Sequence, residues 1–324
     1  MKPLKMSNVL WPTKATPLTA PKNVLWPAKA VTAVSAGVLM AAALAFGPAN
    51  AQQWEGSLGE NGFDNYSPPI TNPVLNETPL ITTEIRPIYF HQEIPNEFLS
   101  GGGDIDVGAM QVRIALTERL GFIATTDGYA DIDFDAVLAD SSGFADIAAG
   151  FKYAAYYNPK EGEILTVGVR YTAPLGNLDV GTIDLTGFGA GSVNVFATGL
   201  KEFGEWTVQG SAGVQQAVSN DRTSYFHGSA AVSYNAGAGF FPTLETNLTL
   251  PYDGGDRIAN SSLTGIDIAD FGSSDPENVW TVGAGMRYAA TENALIGAAF
   301  EYNLSESAND IFEWRALFDL VIHF

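Results

Sequence analysis

From about residue 81 onward, apolar residues recur at every second position in run after run. The stretch FEWRALFDLVIHF at 312–324 shows the pattern at its clearest. Phe312, Trp314, Ala316, Phe318, Leu320, Ile322 and Phe324 form one set. Glu313, Arg315, Leu317, Asp319, Val321 and His323 alternate with them as a largely polar set. Strand side chains alternate between faces with a period of two, so each run has one apolar and one wet face. A soluble sheet covers such a face with a second layer, whereas a membrane barrel turns it to lipid.

Twelve strands are predicted, near 81–94, 105–117, 120–127, 144–157, 163–173, 192–201, 205–217, 224–235, 240–251, 278–288, 294–303 and 311–324. Several carry an apolar face about ten residues long, the length of an outer-membrane strand. Short connections at 118–119, 158–162, 202–204, 236–239 and 289–293 alternate with long ones at 95–104, 128–143, 174–191, 218–223, 252–277 and 304–310. Short turns on the periplasmic rim and long loops outside are the barrel pattern. An even strand count also returns both ends of the barrel to the same side. The fold class is therefore all-β, a transmembrane antiparallel up-and-down barrel of about 12 strands. A soluble sandwich or propeller is the competing reading.

Residues 1–51 hold five lysines and no acidic residue, followed by an apolar run from Ala30 to Phe46 and the sequence GPANA. A positive flank, an apolar middle and an A-x-A end predict a signal peptide with cleavage before Gln52. The octets NVLWPTKA and NVLWPAKA at 8–15 and 23–30 repeat within it, with no role assigned. Without the leader, 11 basic residues face 36 acidic ones, a net charge of about −25 that disfavours nucleic acid. No later stretch approaches the ~20 continuous apolar residues of a membrane helix. Residues 52–80, rich in Pro, Asn and Gly, read as an irregular lead-in that either lies in the periplasm or folds back into the lumen.

Parity assigns the faces. Arg113, Lys152, Arg170, His227, Glu245, Arg287, Glu301, Glu313, Arg315 and Asp319 are predicted to line the lumen, with Gln209 and Gln215. Glu301 and Arg315 stand on neighbouring strands at the same end and are placed to pair. Small inward residues (Ala109, Ala148, Gly150, Gly168, Ser211, Gly213, Gly283, Gly285) favour an open pore. A lumen filled by mutually neutralised charges is the competing reading. Tyr153, Tyr157, Trp206, Trp280, Trp314 and Phe324 are predicted as an outward aromatic girdle, joined by Tyr171, Tyr234 and Tyr288. By the same parity Ala149→Arg should be costly and Gly150→Ala mild.

Catalytic signals are sparse. There is no cysteine, no G-x-S-x-G, and only His91, His227 and His323 as histidine bases. GFGAGS at 187–192 lacks the strand-to-helix setting of a phosphate loop. Asp131-x-Asp133-x-Asp135 begins like a calcium loop, but Ala136 and Ser142 stand where that loop needs Gly and Glu. The same stretch more simply extends a hairpin beyond the membrane, where divalent ions could bridge its carboxylates to lipopolysaccharide. No enzyme, cofactor or metal centre is expected.

The segments TEIRPIYFHQEIP, GGGDIDVGAMQVRIALTERLGFIATTDGYADID and GFADIAAGFKYAAYYNPKEGEILTVGVRYTAPLG resemble proteobacterial outer-membrane barrels of the phenol meta-pathway degradation transporter type. These are themselves similar to fatty-acid and aromatic-hydrocarbon channels. The last strand, ending in Phe324, resembles the assembly signal of Gram-negative outer-membrane proteins. The resemblance implies passive uptake of a small solute, hydrophobic or aromatic in character. It also implies membrane lipid, lipopolysaccharide and the barrel-assembly machinery as partners. A plugged structural or adhesive barrel is the alternative, and a lipid-modifying barrel enzyme a more distant one.

Overall fold

The computed structural model describes residues 62–126, 128–265, 268–305 and 308–324. The leader, its repeat and residues 52–61 lie outside the described residues. Sixteen strands follow in order: β1 (Glu84–Ile94), β2 (Gly103–Ala115), β3 (Leu120–Thr126), β4 (Tyr129–Phe134), β5 (Ser141–Phe144), β6 (Ile147–Asn158), β7 (Glu163–Ala173), β8 (Asp179–Val180), β9 (Ile183–Asp184), β10 (Ser192–Phe203), β11 (Trp206–Ala217), β12 (Ser224–Tyr234), β13 (Phe240–Asp253), β14 (Val279–Thr291), β15 (Ala294–Asn303) and β16 (Trp314–His323). Twelve of them close an antiparallel barrel, because β1 pairs with both β2 and β16. The remaining four belong to the long loops. β4 pairs with the outer part of β2 and with β5, so the predicted hairpin extension is present. β8 and β9 form a separate small ribbon.

Burial is inverted relative to a soluble sheet. Along β13 the buried residues are Phe241, Thr243, Glu245, Asn247 and Thr249, all but the first polar, while Leu244, Leu248 and Leu250 are exposed. Leu244 is 66% exposed and Glu245 only 5%. Hydrocarbon chains cover the first face without cost, and the second needs polar partners inside. Phe151, Val169, Val195, Met286, Phe300 and Phe318 continue the exposed apolar belt around the barrel.

Aromatic pairs edge the belt at both ends. Trp206 packs on Tyr234 (4.7 Å) and Phe240 on Tyr288 (4.8 Å) at the short-turn end. Phe300 stacks on Trp314 (5.4 Å) and Phe226 on Tyr252 (4.7 Å) at the loop end. Tyr153 and Trp280 are exposed, and Trp314 and Phe324 stand at opposite ends of β16. Gly204 shows how tight the short turns are. Its φ of +61° lets two residues join Phe203 to its partner Trp206.

Tyr157 departs from the predicted girdle. The ladder between β6 and β7 shifts after Ala154, which pairs with Thr166 while Tyr156 pairs with Leu165. One extra residue reverses the parity beyond it. Tyr156 therefore faces out, and Tyr157 turns in against Phe63, ring centroids 5.9 Å apart. Phe312 also leaves the outward set: it precedes β16, is buried, and lies under the guanidinium of Arg315 at 4.7 Å. Glu313 likewise stands just before β16, half-buried, its backbone bridging Glu93 and Asn303. It is not among the lumen ion pairs.

Candidate functional site

Residues 62–83 run through the barrel interior as a hairpin-shaped plug. The segment enters at the short-turn end, where the Asn65 side chain donates to the Gly204 carbonyl at 2.8 Å and Phe63 meets Tyr157. It rises to a turn at Asn72–Leu75. There Asn72 has a φ of +44°, and its side chain accepts the Leu75 N–H at 3.3 Å. It then descends to Thr82, which donates to Glu84 at the start of β1 (2.8 Å).

Four prolines explain why this segment does not become a strand. Proline donates no backbone hydrogen bond, so a ladder through Pro68, Pro69, Pro73 and Pro79 would be broken repeatedly. Their carbonyls still need donors once buried, and lumen side chains supply them. Pro68 and Pro69 receive the Arg287 guanidinium, and Pro69 receives Arg86 as well. Pro73 receives Gln111, and Pro79 receives the Thr166 hydroxyl. The wall is polar because the plug is backbone-rich.

Charge completes the fit. Glu77 accepts two hydrogen bonds from Arg113 at 2.7 Å each and one from Lys152 at 2.8 Å, all at 1% side-chain exposure. Arg113 also reaches Glu84 at 2.9 Å. Glu245 works the other way. This carboxylate on the wall accepts the N–H groups of Ile70 (2.8 Å) and Thr71 (2.9 Å) and the Thr71 hydroxyl. Asp319 is shared by Arg287 and Arg86. Glu301 pairs with Arg315 at 2.8 Å, as its position predicts. A buried charge is tolerated only when paired and hydrogen-bonded.

Of the twelve predicted lumen residues ten are buried inside the barrel, while Glu313 and Gln215 are half-buried. Arg170 donates to the Val74 carbonyl at 2.9 Å, and the His227 ring lies 2.8 Å from the Asn194 amide nitrogen. Sequence reasoning missed Glu77, Glu84 and Arg86. A signal for the first existed: Glu77 is the sole charged residue between Asp64 and Glu84. A lone carboxylate in a proline-rich stretch that then enters a barrel needs a cation there.

The small inward residues do not leave the lumen open. A Cβ on Gly283 would meet the Thr71 methyl at 2.6 Å, and one on Gly285 the Ile70 side chain at 3.0 Å. On Gly168 it would strike the Phe196 ring at 2.3 Å. These positions are small because the plug and neighbouring side chains occupy the space. Gly150 is stricter, since its Cβ would lie 2.0 Å from the Val169 carbonyl oxygen. The mild outcome predicted for Gly150→Ala is thereby overturned.

Outer loops close the opposite end. Leu178, Val180 and Leu185 from one loop and Ile268, Ala269 and Phe271 from another join Ile88, Phe90, Ile105 and Val107 of the wall in one apolar cluster. Between this cap and the plug tip lie two cavities of about 30 and about 70 Å³. Leu75 of the plug and Ile268 of the cap line both, and so stand as the partition. The smaller cavity is lined by Gln92, Asn247, Glu301, Asp310 and Arg315, and the larger by Thr125, Arg170, Ser192, Arg222 and Asp270.

Outside the barrel, Asp131 and Asp133 of β4 stand directly opposite Asp106 and Asp104 of β2. His91 Nδ1 is 3.0 Å from Asp106. Burial and the surrounding carboxylates push the Asp131 carboxyl up from its ordinary value.

Known structures align with the chain to different degrees. An outer membrane channel from Pseudomonas putida F1 is 17% identical with a TM-score of 0.54, over 75% of this chain and 96% of that one. The NanC porin (8% identity, TM-score 0.46) matches over 75% of this chain and 99% of its own. The CymD monoaromatic hydrocarbon channel (8%, TM-score 0.42) matches over 85% and 99%. No curated protein matches the chain. The sequence from 82 to 317, the whole barrel apart from its edges, matches the family described as "Putative MetA-pathway of phenol degradation". The chain is an outer-membrane β-barrel and belongs to that family.

Proposed function

We propose that the protein is a channel for passive passage of small solutes across the outer membrane, closed at rest by its own N-terminal plug. The observation that carries this reading is how the plug is held. It contributes one turn of irregular chain, fixed by side-chain hydrogen bonds and ion pairs rather than by a strand ladder. Such a segment can leave without unzipping the wall, whose strands pair with one another and, for β2, with the loop strand β4. The leader at 1–51 would direct export. The last strand would engage the assembly machinery, and the apolar belt would meet lipid and lipopolysaccharide.

The family description names phenol degradation, and an aromatic solute suits the outer apolar cap. Neither cavity reaches the ~150 Å³ of a pocket that takes up benzene, so an aromatic molecule would pass only with Leu75 or Ile268 displaced. Catalysis has little support. His91 is on the outer face beside Asp106, His227 is in the lumen beside Asn194, and His323 is near Glu84 at the short-turn end.

The test is a planar-bilayer recording of the purified full chain, alongside a variant whose plug is released by Glu77→Ala. Rare, small conductance steps that become frequent and larger in the variant are expected. A silent bilayer for both proteins sinks the channel reading. It favours the plugged structural barrel, for which the paired lumen charges also speak.

A further inference from the structure

The larger cavity differs in chemistry from the smaller. Arg170 and Arg222 line it together with Asp146 and Asp270, so its formal charges balance. Both carboxylates are already supplied with donors. Asp146 accepts the N–H groups of Gly176 and Gly187 and the Arg222 guanidinium. Asp270 accepts the N–H and hydroxyl of Thr223 and the N–H of Gly272. Two hydroxyls on the lining are different. Thr125 Oγ1 and Ser192 Oγ are buried, at 1% and 2% exposure, with no hydrogen-bond partner among the described residues. Across from this polar set stand Leu75, Leu185 and Ile268.

We propose that this cavity is a binding subsite for a small neutral alcohol or diol, a reading that rests on the channel function proposed above. A hydroxyl both donates and accepts, so it can satisfy Thr125 and Ser192 in either sense. The balanced charges favour a neutral solute, because an added anion or cation would be buried without a counter-charge. The Leu75–Leu185–Ile268 side takes a short carbon chain. A space of about 70 Å³ limits the solute to a few heavy atoms. The smaller cavity cannot substitute. At about 30 Å³, with Glu301, Asp310 and Arg315 on its lining, it has room for about one water molecule.

The experiment is saturation-transfer NMR of ethane-1,2-diol with the full-length protein in detergent, with acetate as the charged comparator. Thr125→Val and Ser192→Ala remove one hydroxyl each with little change in volume, and Asn247→Ala alters the lining of the other cavity. Folding of every variant is verified by heat-modifiable gel mobility. We expect diol binding to weaken roughly 2- to 10-fold in Thr125→Val and in Ser192→Ala, the worth of one neutral hydrogen bond. Asn247→Ala should leave it unchanged. Three outcomes overturn the proposal: no diol signal, equal signals in all variants, or tighter binding of acetate than of diol. Each is distinct from a silent bilayer, which would remove the channel function while leaving the binding measurement intact.

Discussion

Glu77 and Arg113 meet side-on, the carboxylate receiving both Nε–H and Nη2–H at 2.7 Å in a site where each side chain is 1% exposed. One partner is on the plug and the other on β2, so this fork joins the plug to the barrel wall. Lys152 shares the same carboxylate from β6. Two cations on the wall thus share one anion carried in by the plug.

Glu77→Ala should undock the plug without dismantling the barrel. Removing one partner of a buried pair costs about 3–5 kcal/mol. Here Lys152 loses its carboxylate while Arg113 keeps Glu84. The expected result is higher open probability together with faster proteolysis within residues 62–83. Heat-modifiable mobility should remain that of a folded barrel.

Glu245→Gln should have the same direction and a smaller size. The carboxylate accepts three donors from Ile70 and Thr71 on its two oxygens, and a neutral amide keeps one acceptor oxygen while setting an NH2 donor against the other N–H. A loss of roughly 1–3 kcal/mol is expected for weakened charge-assisted bonds. Open probability should rank Glu77→Ala above Glu245→Gln above the unaltered protein. The reverse ranking would show that the plug tip, not its descending arm, holds it closed.

Neighbouring substitutions on β6 should both be harmful, for different reasons. Ala149→Arg places a charge on the lipid face at a cost of about 2–4 kcal/mol at mid-membrane. Gly150→Ala brings a Cβ to 2.0 Å from the Val169 carbonyl, which forces the β6–β7 ladder to shift. Urea titration of the refolded barrel in lipid vesicles measures both. A Gly150→Ala barrel of unaltered stability would mean the strands separate more easily than their register implies.

Asp131→Asn should stabilise the pairing of β4 with β2 at neutral pH and do nothing in acid. Directly opposed like charges destabilise a strand pair by roughly 0.2–1 kcal/mol, and Asp131 faces Asp106. Its folded-state carboxyl value is raised, by burial first and then by Asp133, Asp106 and Asp104. The protonated form is thus favoured on folding. Stability is full below the unfolded carboxyl value and is lost as pH rises through the raised one. Hydrogen exchange of residues 129–134 across that window should show slower opening in the variant only at the higher pH.

The residues that made the barrel legible are those whose environment depends on parity alone. Leu244 and Glu245 separate lipid from lumen by adjacency, and the same rule places Arg113, Arg287, Asp319 and the Glu301–Arg315 pair. Tyr157 escaped it because a bulge after Ala154 is a property of the β6–β7 register, with no marker in composition. Phe312 escaped because the strand begins two residues later than the alternation does. Gly283 and Gly285 look like empty lumen until the chain that fills them is in place.

The alternation of apolar and polar residues, read with the loop lengths, fixed by itself a twelve-stranded barrel with its polar face inward. The reason is local: a strand's period of two is set by backbone geometry, and lipid accepts only one of the two faces. Whether that polar face bounds a pore or a filled interior was decided only by tertiary structure. The deciding contacts join Glu77 to Lys152 across 75 positions and Ile70 to Glu245 across 175. A proline-rich segment carries no periodicity to announce its place, and the buried cations of the wall select it only once the barrel has closed around it.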